Sequence, residues 1–254
     1  MDRAQGAVQT REAGSEVAVL AKMAQLLDVL ADEPALTSAE LGIRLNMPRT
    51  TVHRIVQTLI SQGILTLAHE PGPRLIRWSL KALHVGGLRV ASGPVLDRLV
   101  KAFGETSSVF VPSGATRICI ARRDGTEAVR HNINIGDSVP IHVGSAGRIL
   151  LAWLEAEERE ALIERSYLLS KVPISQPSPD WTEIRRRGWT ATTGERDPVL
   201  ASVSVPVFGS DKKVVAALSL SGPRMRFVED RIATTVEVLK HEAMLLEAQT
   251  ETDR

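Results

Sequence analysis

The chain has 254 residues, 43% of them hydrophobic and 24% charged, the balance of a folded globular protein rather than a disordered or fibrous one. Its 31 Lys plus Arg against 30 Asp plus Glu leave a formal net charge of +1, so the molecule as a whole is no polycation built to coat nucleic acid or an anionic membrane. No run approaches the ~18 consecutive apolar residues of a spanning helix, and the start MDRAQGAVQTREAGSE is charged where a signal peptide would be apolar, so a cytoplasmic protein of one large or two smaller domains is expected.

Cys119 is the sole cysteine, which excludes an internal disulfide and any multi-cysteine zinc or iron–sulfur site. The histidines at 53, 69, 84, 131, 142 and 241 show no HxxxH or HxH spacing, so neither a structural metal nor a cofactor is expected.

The average charge conceals a basic segment. Between Arg44 and Arg89 lie Arg44, Arg49, Arg54, Arg74, Arg77, Lys81 and Arg89 against one acid, Glu70, whereas from Gly93 onward basic and acidic residues nearly cancel. A boundary is expected near residue 90.

Val19, Met23, Leu26 and Leu30 recur at helical spacing, and Asp32-Glu33-Pro34 ends that first helix. Thr37-Ser38-Ala39-Glu40 then has the hydroxyl and the carboxylate of a reciprocal helix cap. Asn46-Met47-Pro48 reads as a tight turn into a third helix, about Arg49 to Gln62, stopped by Gly63. In that helix Val52, Ile55, Val56, Leu59 and Ile60 form the core-facing stripe, which leaves Arg49, Thr50, His53, Arg54 and Gln57 on the opposite face. Two strands, Ile64 to Leu67 and Leu75 to Ser79, are expected around the turn His69 to Pro73. The pattern is a helix-turn-helix followed by a β wing.

Beyond the boundary, a helix is expected over Val95 to Phe103 and a hairpin around Ser113-Gly114, since Val109 and Val111, then Ile118 and Ile120, repeat with period two on either side of it. Further strands are read at Ala128 to Ile135, Ser202 to Phe208 and Val214 to Leu220. Helices are read at Ser145 to Trp153, Glu157 to Glu164 and Pro179 to Arg187, and Val228, Ile232, Val236, Leu239, Ala243 and Leu246 mark a long terminal one. Hairpins mixed with helices argue for an α+β fold with an antiparallel sheet.

A helix fits the major groove, and residues near its N-terminus reach base edges while basic neighbours grip phosphates. Arg49, Thr50, His53 and Arg54 hold that position. A polar helix face is also what solvation alone would leave, but the capped helix before it, the turn, the wing after it and the local charge weigh against that. His69, Arg74 and Arg77 in the wing are placed to approach a minor groove or phosphates, and each alone is equally well a bystander.

The stretch ALTSAELGIRLNMPRTTVHRIVQTLISQGIL resembles the winged helix-turn-helix of the IclR family of bacterial transcriptional regulators. IGDSVPIHVGSAGRILLAWL, RRGWTATTGE and VVAALSLSGP look like that family's effector-domain signatures, and the match runs from about Glu16 to Glu247. The resemblance implies a winged helix-turn-helix DNA-binding domain over 16–79, a linker helix over 80–92 and a GAF-like effector-binding domain over 93–250. It implies a homodimer, or a tetramer made of two dimers, with the helix Val17 to Leu30 helping to pair the DNA-binding domains. The DNA-contacting set is Thr37, Arg49, Thr50, Thr51, His53, Arg54, Gln57, Arg74 and Arg77, the partner being double-stranded operator DNA.

Gly144-Ser145-Ala146-Gly147 precedes the helix Arg148 to Trp153, where free backbone N–H groups and the helix dipole suit an anion, although a tight helix-capping turn reads equally well. Similarity to the family lines the pocket with His131, Val139, Ser145, Ala146, Gly147, Thr192, Leu200, Ser202, Ser219 and Ser221. Alternation in Leu218-Ser219-Leu220-Ser221 turns both hydroxyls to one face, where they either meet a ligand or bond neighbouring backbone. This chain departs from common members: Thr192 stands where an acid is frequent, Ser202 where a cysteine is, Arg148 for lysine, and His131 at a position that is apolar in some. The pocket is thereby less acidic, which fits a small organic acid.

No enzyme is expected. Ser145 lacks G-x-S-x-G spacing and a downstream Asp…His pair, His241 sits in the terminal helix, and Cys119, read as facing the polar side of its strand, has no dedicated base. The remaining alternative is a ligand sensor or protein-interaction module that uses the same fold without binding DNA.

Overall fold

The computed structural model describes residues 17–34, 36–82, 86–175 and 177–252. They fall into two compact units that divide between residues 83 and 84. Within the linker segment expected over 80–92, residues 83–85 lie outside the described residues.

The first unit is helical. Helices α1 (Ala18–Asp32), α2 (Ser38–Arg44) and α3 (Arg49–Ser61) close around Leu26, Leu30, Leu41, Met47, Val52, Ile55, Val56, Leu59 and Leu65. α2 starts with the reciprocal cap expected from sequence: the Thr37 hydroxyl accepts from the Glu40 N–H, and the Glu40 carboxylate accepts from the Thr37 N–H at 2.8 Å. Asn46 takes a left-handed φ of 48°, which turns the chain between α2 and α3.

After Gly63 the wing is smaller than the sequence suggested. Leu65 pairs with Pro71 in a single antiparallel bridge, extended by Gly72 N–H to Ile64 C=O at 2.7 Å and Thr66 N–H to Glu70 C=O at 2.8 Å. The strand expected at Leu75 to Ser79 is instead part of helix α4 (Pro73–Ala82). Pro73 occupies the first helical position, where its fixed φ suits a helix and its missing N–H costs nothing. Arg74 and Arg77 therefore sit on a helix that follows the wing, not on the wing itself.

The second unit is a six-stranded sheet, ordered β3-β2-β1-β6-β5-β4, with every neighbouring pair antiparallel. Its strands are β1 (Thr106–Ser113), β2 (Thr116–Arg123), β3 (Ser138–Pro140), β4 (Thr190–Thr193), β5 (Leu200–Phe208) and β6 (Val214–Pro223). Helices α5 (Gly86–Phe103) and α9 (Glu229–Thr252) cover one face, over Val109, Val203, Val205, Leu218 and Leu220. α6 (Gly144–Ala152) packs on the other, over Phe110, Cys119 and Ala217, with α8 (Trp181–Arg187) beside it. α7 (Ala156–Ser170) joins α6 to the segment before α8.

Because both faces are covered, alternation sorts β2 between two apolar layers rather than between core and water. Ile118 and Ile120 pack toward α5 and α9, while Cys119 is fully buried among Phe110, Ile133 and Ile149, which corrects its placement on a polar side. The strand expected at Ala128 to Ile135 is absent: the segment begins in a bend and ends in a turn, and buries His131 and Ile133 alternately, but side chains serve its backbone. Thr106 donates to the His131 carbonyl at 3.0 Å, Arg226 to the Val129 carbonyl at 2.9 Å, and the Asn134 N–H reaches Asp137 at 2.6 Å. β4 was not anticipated from the sequence.

Ion pairs tie the second unit together. Glu105, fully buried at the start of β1, accepts a two-pronged guanidinium from Arg226, and Arg98 on α5 grips Glu242 on α9 in the same manner. Gly222 on β6 is what lets Glu105 in, since a Cβ there would lie 2.1 Å from a carboxylate oxygen.

Candidate functional site

The first candidate surface is α3. Val52, Ile55, Val56 and Leu59 anchor it, so the helical period fixes Arg49, Thr50, His53, Arg54 and Gln57 outward, and all five are exposed. Arg49, Arg54, Arg74 and Arg77 form no ion pair with any described residue, whereas Arg44 is already held by Glu33 at 2.6 Å. Thr51 is half-buried and lines an apolar groove with Val19, Leu20 and Met23 of α1. Thr37 is exposed, but its hydroxyl donates to the Glu40 carboxylate at 2.7 Å while accepting from the Glu40 N–H. His69, at a left-handed φ of 61°, places Nδ1 2.7 Å from the Leu36 carbonyl and so fastens the wing to the segment before α2.

The second candidate lies in the sheet unit, over the N-terminus of α6. A cavity of about 50 Å3 there is lined by His131, Thr192, Leu200, Ser202 and Ser221, together with Gly144. Five of the ten residues expected to form the pocket are thus brought together. Val139 packs instead in the core under α6, and Ser145, Ala146, Gly147 and Ser219 lie buried behind the cavity wall. Gly147 is there because of a close approach: a Cβ would come within 2.0 Å of the Ile141 carbonyl oxygen.

Hydroxyls connect this wall. Ser145 Oγ is 2.7 Å from both Ser202 Oγ and Ser204 Oγ, Ser204 is 2.9 Å from Ser219, and Thr192 is 3.2 Å from Ser202. A hydroxyl donates once and accepts twice, so such a chain satisfies itself without neighbouring backbone. Ser221 sits apart from it, 2.7 Å from Nδ1 of His131.

Four charged residues that the sequence did not single out complete the cavity: Arg117, Glu195, Arg196 and Asp197. Arg117 lies two residues before Cys119 on the same face of β2, and is 5% exposed. It donates to the carbonyls of Pro140 and Val143, stacks over the Phe110 ring at 5.3 Å, and leaves Nε without a partner. Burial, reinforced by repulsion from Arg196, pushes its pKa down to about 9. An arginine directly before the apolar run Ile118 to Ala121 was the available signal. Glu195 ends the RRGWTATTGE stretch and Arg196 and Asp197 follow it, in a loop with no local period to mark them.

Arg196 donates to Nε2 of His131 at 2.9 Å, which leaves the His131 proton on Nδ1, donated to Ser221. Burial first, then Arg196 and Arg117, push the His131 pKa down to about 4, so the ring is neutral at pH 7. Glu195 accepts the Gly144 N–H at 2.7 Å and pairs with Arg148. The first N–H of α6 has no partner within its helix and carries the positive end of the dipole, and here a carboxylate meets both.

Two family models cover nearly all of this architecture. The bacterial transcriptional regulator IclR C-terminal model matches residues 80–247, and the IclR helix-turn-helix model matches residues 19–69. The chain belongs to the IclR family of bacterial transcriptional regulators. Among relatives, it is 29% identical to the HTH-type transcriptional regulator KipR of Bacillus subtilis, over 88% of this chain and 93% of that protein. It is 28% identical to the transcriptional repressor IclR of Escherichia coli, over 89% and 87%. The Thermotoga maritima IclR structure shares the fold, with a TM-score of 0.66 at 21% identity over 92% of this chain and 99% of that one. An IclR homolog from Microbacterium hydrocarbonoxydans, crystallised as a complex with 4-hydroxybenzoate, superimposes with a TM-score of 0.69 at 25% identity, over 92% and 100%. The IclR-type helix-turn-helix of this chain thus corresponds to the first unit and the IclR C-terminal domain to the second. Among the described residues no helix is long and apolar enough to cross a membrane.

Proposed function

We propose that this IclR-family regulator binds a roughly palindromic operator through α3 and that a small carboxylate in the sheet unit governs that binding. The exposed row Arg49, Thr50, His53, Arg54 and Gln57, free of internal ion pairs among the described residues, is the observation that supports it best. Arginine can chelate guanine, a threonine offers a hydroxyl and a methyl group, and histidine and glutamine add further hydrogen bonds. Arg74 and Arg77 on α4 are proposed as phosphate contacts, and Thr37 and Thr51 as flanking ones.

The chain acts as a homodimer or as a dimer of dimers in this reading, with α1 pairing the DNA-binding units. Val17, Val19 and Leu20 are exposed apolar residues there, beside the groove formed with Met23 and Ile55. Two half-sites one helical turn apart would follow from the two-fold axis.

The effector reading places a carboxylate against His131, Thr192, Leu200, Ser202 and Ser221, with Val139, Ser145, Ala146, Gly147 and Ser219 behind them, in a GAF-like domain over 93–250. Arg117 and Arg196 in the cavity lining, with Arg148 behind them on Glu195, support an anion, as does the 4-hydroxybenzoate complex of the Microbacterium hydrocarbonoxydans homolog. Occupancy would reach DNA through the linker segment 80–92.

Fluorescence anisotropy on DNA from upstream of the chain's own gene tests the proposal. Binding that is sequence-specific and falls steeply with salt is expected. No preference over random duplex at any salt would leave the other reading, a sensor or interaction module that does not bind DNA.

A further inference from the structure

The cavity over α6 is small because part of the protein fills it. The loop between β4 and β5, residues 194–199, is pinned to itself by Gly194 N–H to Leu200 C=O at 2.9 Å and Val199 N–H to Asp197 at 3.0 Å. It reaches the rest of the pocket through three side-chain contacts: Glu195 to Gly144, Glu195 to Arg148, and Arg196 to His131. On the far side of His131, Arg196, Asp197 and Leu200 lies a second, larger cavity of about 630 Å3, lined also by Val129, Val199 and Met225. These four residues are shared by both cavities and form the partition between them.

Every group that Glu195 satisfies is one that an external carboxylate would seek: an unpaired helix N–H and a guanidinium. Arg117 is adjacent, since a Cβ on Gly144 would stand 3.2 Å from its Nη2, and its buried Nε is an orphan donor in the same wall. Arg117 and Arg196 in the lining match Glu195 and Asp197 in number, and Arg148, paired with Glu195, adds a third guanidinium, so with His131 neutral these groups carry one positive charge in excess. Removing Glu195 into water would raise that excess, and a buried unmatched charge is costly unless another anion replaces it.

We propose that the Glu195 carboxylate is a resident stand-in for the effector: a monocarboxylate enters by displacing Glu195 from the Gly144 N–H and Arg148, and Arg117 completes its cradle. The inference rests on the pocket assigned above and deepens it. Withdrawal of Glu195 takes Arg196 off His131, which merges the two cavities. The apolar body of the acid then lies against Val129, Val199 and Leu200, where a free inorganic anion would gain nothing. The ligand class is therefore a monocarboxylate with an apolar or aromatic tail, held with one-to-one charge exchange. Its affinity is set as much by the competitor as by the cradle, because the binding-competent state must first be populated.

The test uses the full-length protein and two acids, 4-hydroxybenzoate and hexanoate, with their amides as uncharged controls, in calorimetric titrations. Glu195→Gln keeps the size of the side chain and removes its charge, and Glu195→Ala removes the group altogether, so one loop defect cannot mimic both. Both variants are expected to bind at least one acid tenfold or more tightly than the wild type, while the amides gain nothing. If the wild type binds an acid and neither variant binds it more tightly, the stand-in role is wrong and the carboxylate pocket survives. If neither the wild type nor the variants bind either acid, both fall together. Equal gains for acids and amides would likewise overturn it, since the cradle would then not be reading charge.

Discussion

Arg49 and Arg54 stand at the start and the first full turn of a helix whose other side is core, so neither has a structural duty among the described residues. Replacing either with Ala should leave the urea midpoint unchanged and weaken operator binding, by about 1–3 kcal/mol if the lost contact was to a base. A base-reading arginine relaxes preference at one operator position, whereas a phosphate-binding one weakens all duplexes alike. Competition against a panel of single-position operator variants distinguishes them. His131 carries the opposite kind of duty. Its pKa is held at about 4 against about 6.5 in the unfolded chain, so between those values the unfolded state binds the proton first. Stability from the neutral ring is therefore complete above pH 6.5 and lost as pH falls toward 4, by at most about 3 kcal/mol. Urea titrations at pH 7.5 and 4.5 should show the wild type losing more stability than His131→Gln. Parallel losses would mean that the ring titrates freely. Cys119, pushed up to about 11 by burial, should resist alkylation at pH 8 until the sheet unit unfolds. Labelling by iodoacetamide, followed by mass, reads this directly, and rapid labelling of the native protein would place the thiol outside the core.

Thr37 shows how an element can claim a residue that a motif assigns to DNA. Its hydroxyl and Glu40 close both ends of a reciprocal cap, so Thr37→Ala should cost about 1 kcal/mol of stability in urea unfolding. Thr37→Ser should restore it. That cap was legible because four consecutive residues specify it. The apolar stripe of α3 was legible for the same reason, a local period of 3.6. The hairpin β1–β2 and the strands β5 and β6 were readable from alternation. Failures came where local pattern was ambiguous or where the decisive partner was distant. Pro73-Arg74-Leu75-Ile76-Arg77-Trp78 alternates poorly enough to suit either state, and the proline at a first helical position favours α4. The segment Ala128 to Ile135 does alternate in burial, yet its backbone bonds go to Thr106 and Arg226, which no local pattern foretells. In the pocket, hydroxyl and histidine positions came from family signatures. Arg117, Glu195 and Arg196 escaped because their meaning depends on strand and loop segments brought together only by the sheet.

A net charge of +1 for the whole chain hides the division of labour between its two units, one with a free arginine surface and one with an internal arginine cluster. The first interacts with a polyanion in solvent and should respond strongly to salt. The second sits partly buried, where screening is weak and a single carboxylate can decide the balance. Linking them requires only modest energy: a coupling of about 1–3 kcal/mol corresponds to a five- to 150-fold change in operator affinity, and reciprocity demands that operator DNA change the effector's affinity by the same factor. The most direct measurement is the affinity of the wild-type protein for its operator by anisotropy, with and without saturating carboxylate, at constant salt. The account predicts a shift of at least fivefold in either direction, matched by an equal shift in carboxylate affinity when operator is present. Operator binding that is identical with and without a carboxylate known from calorimetry to be bound would contradict it.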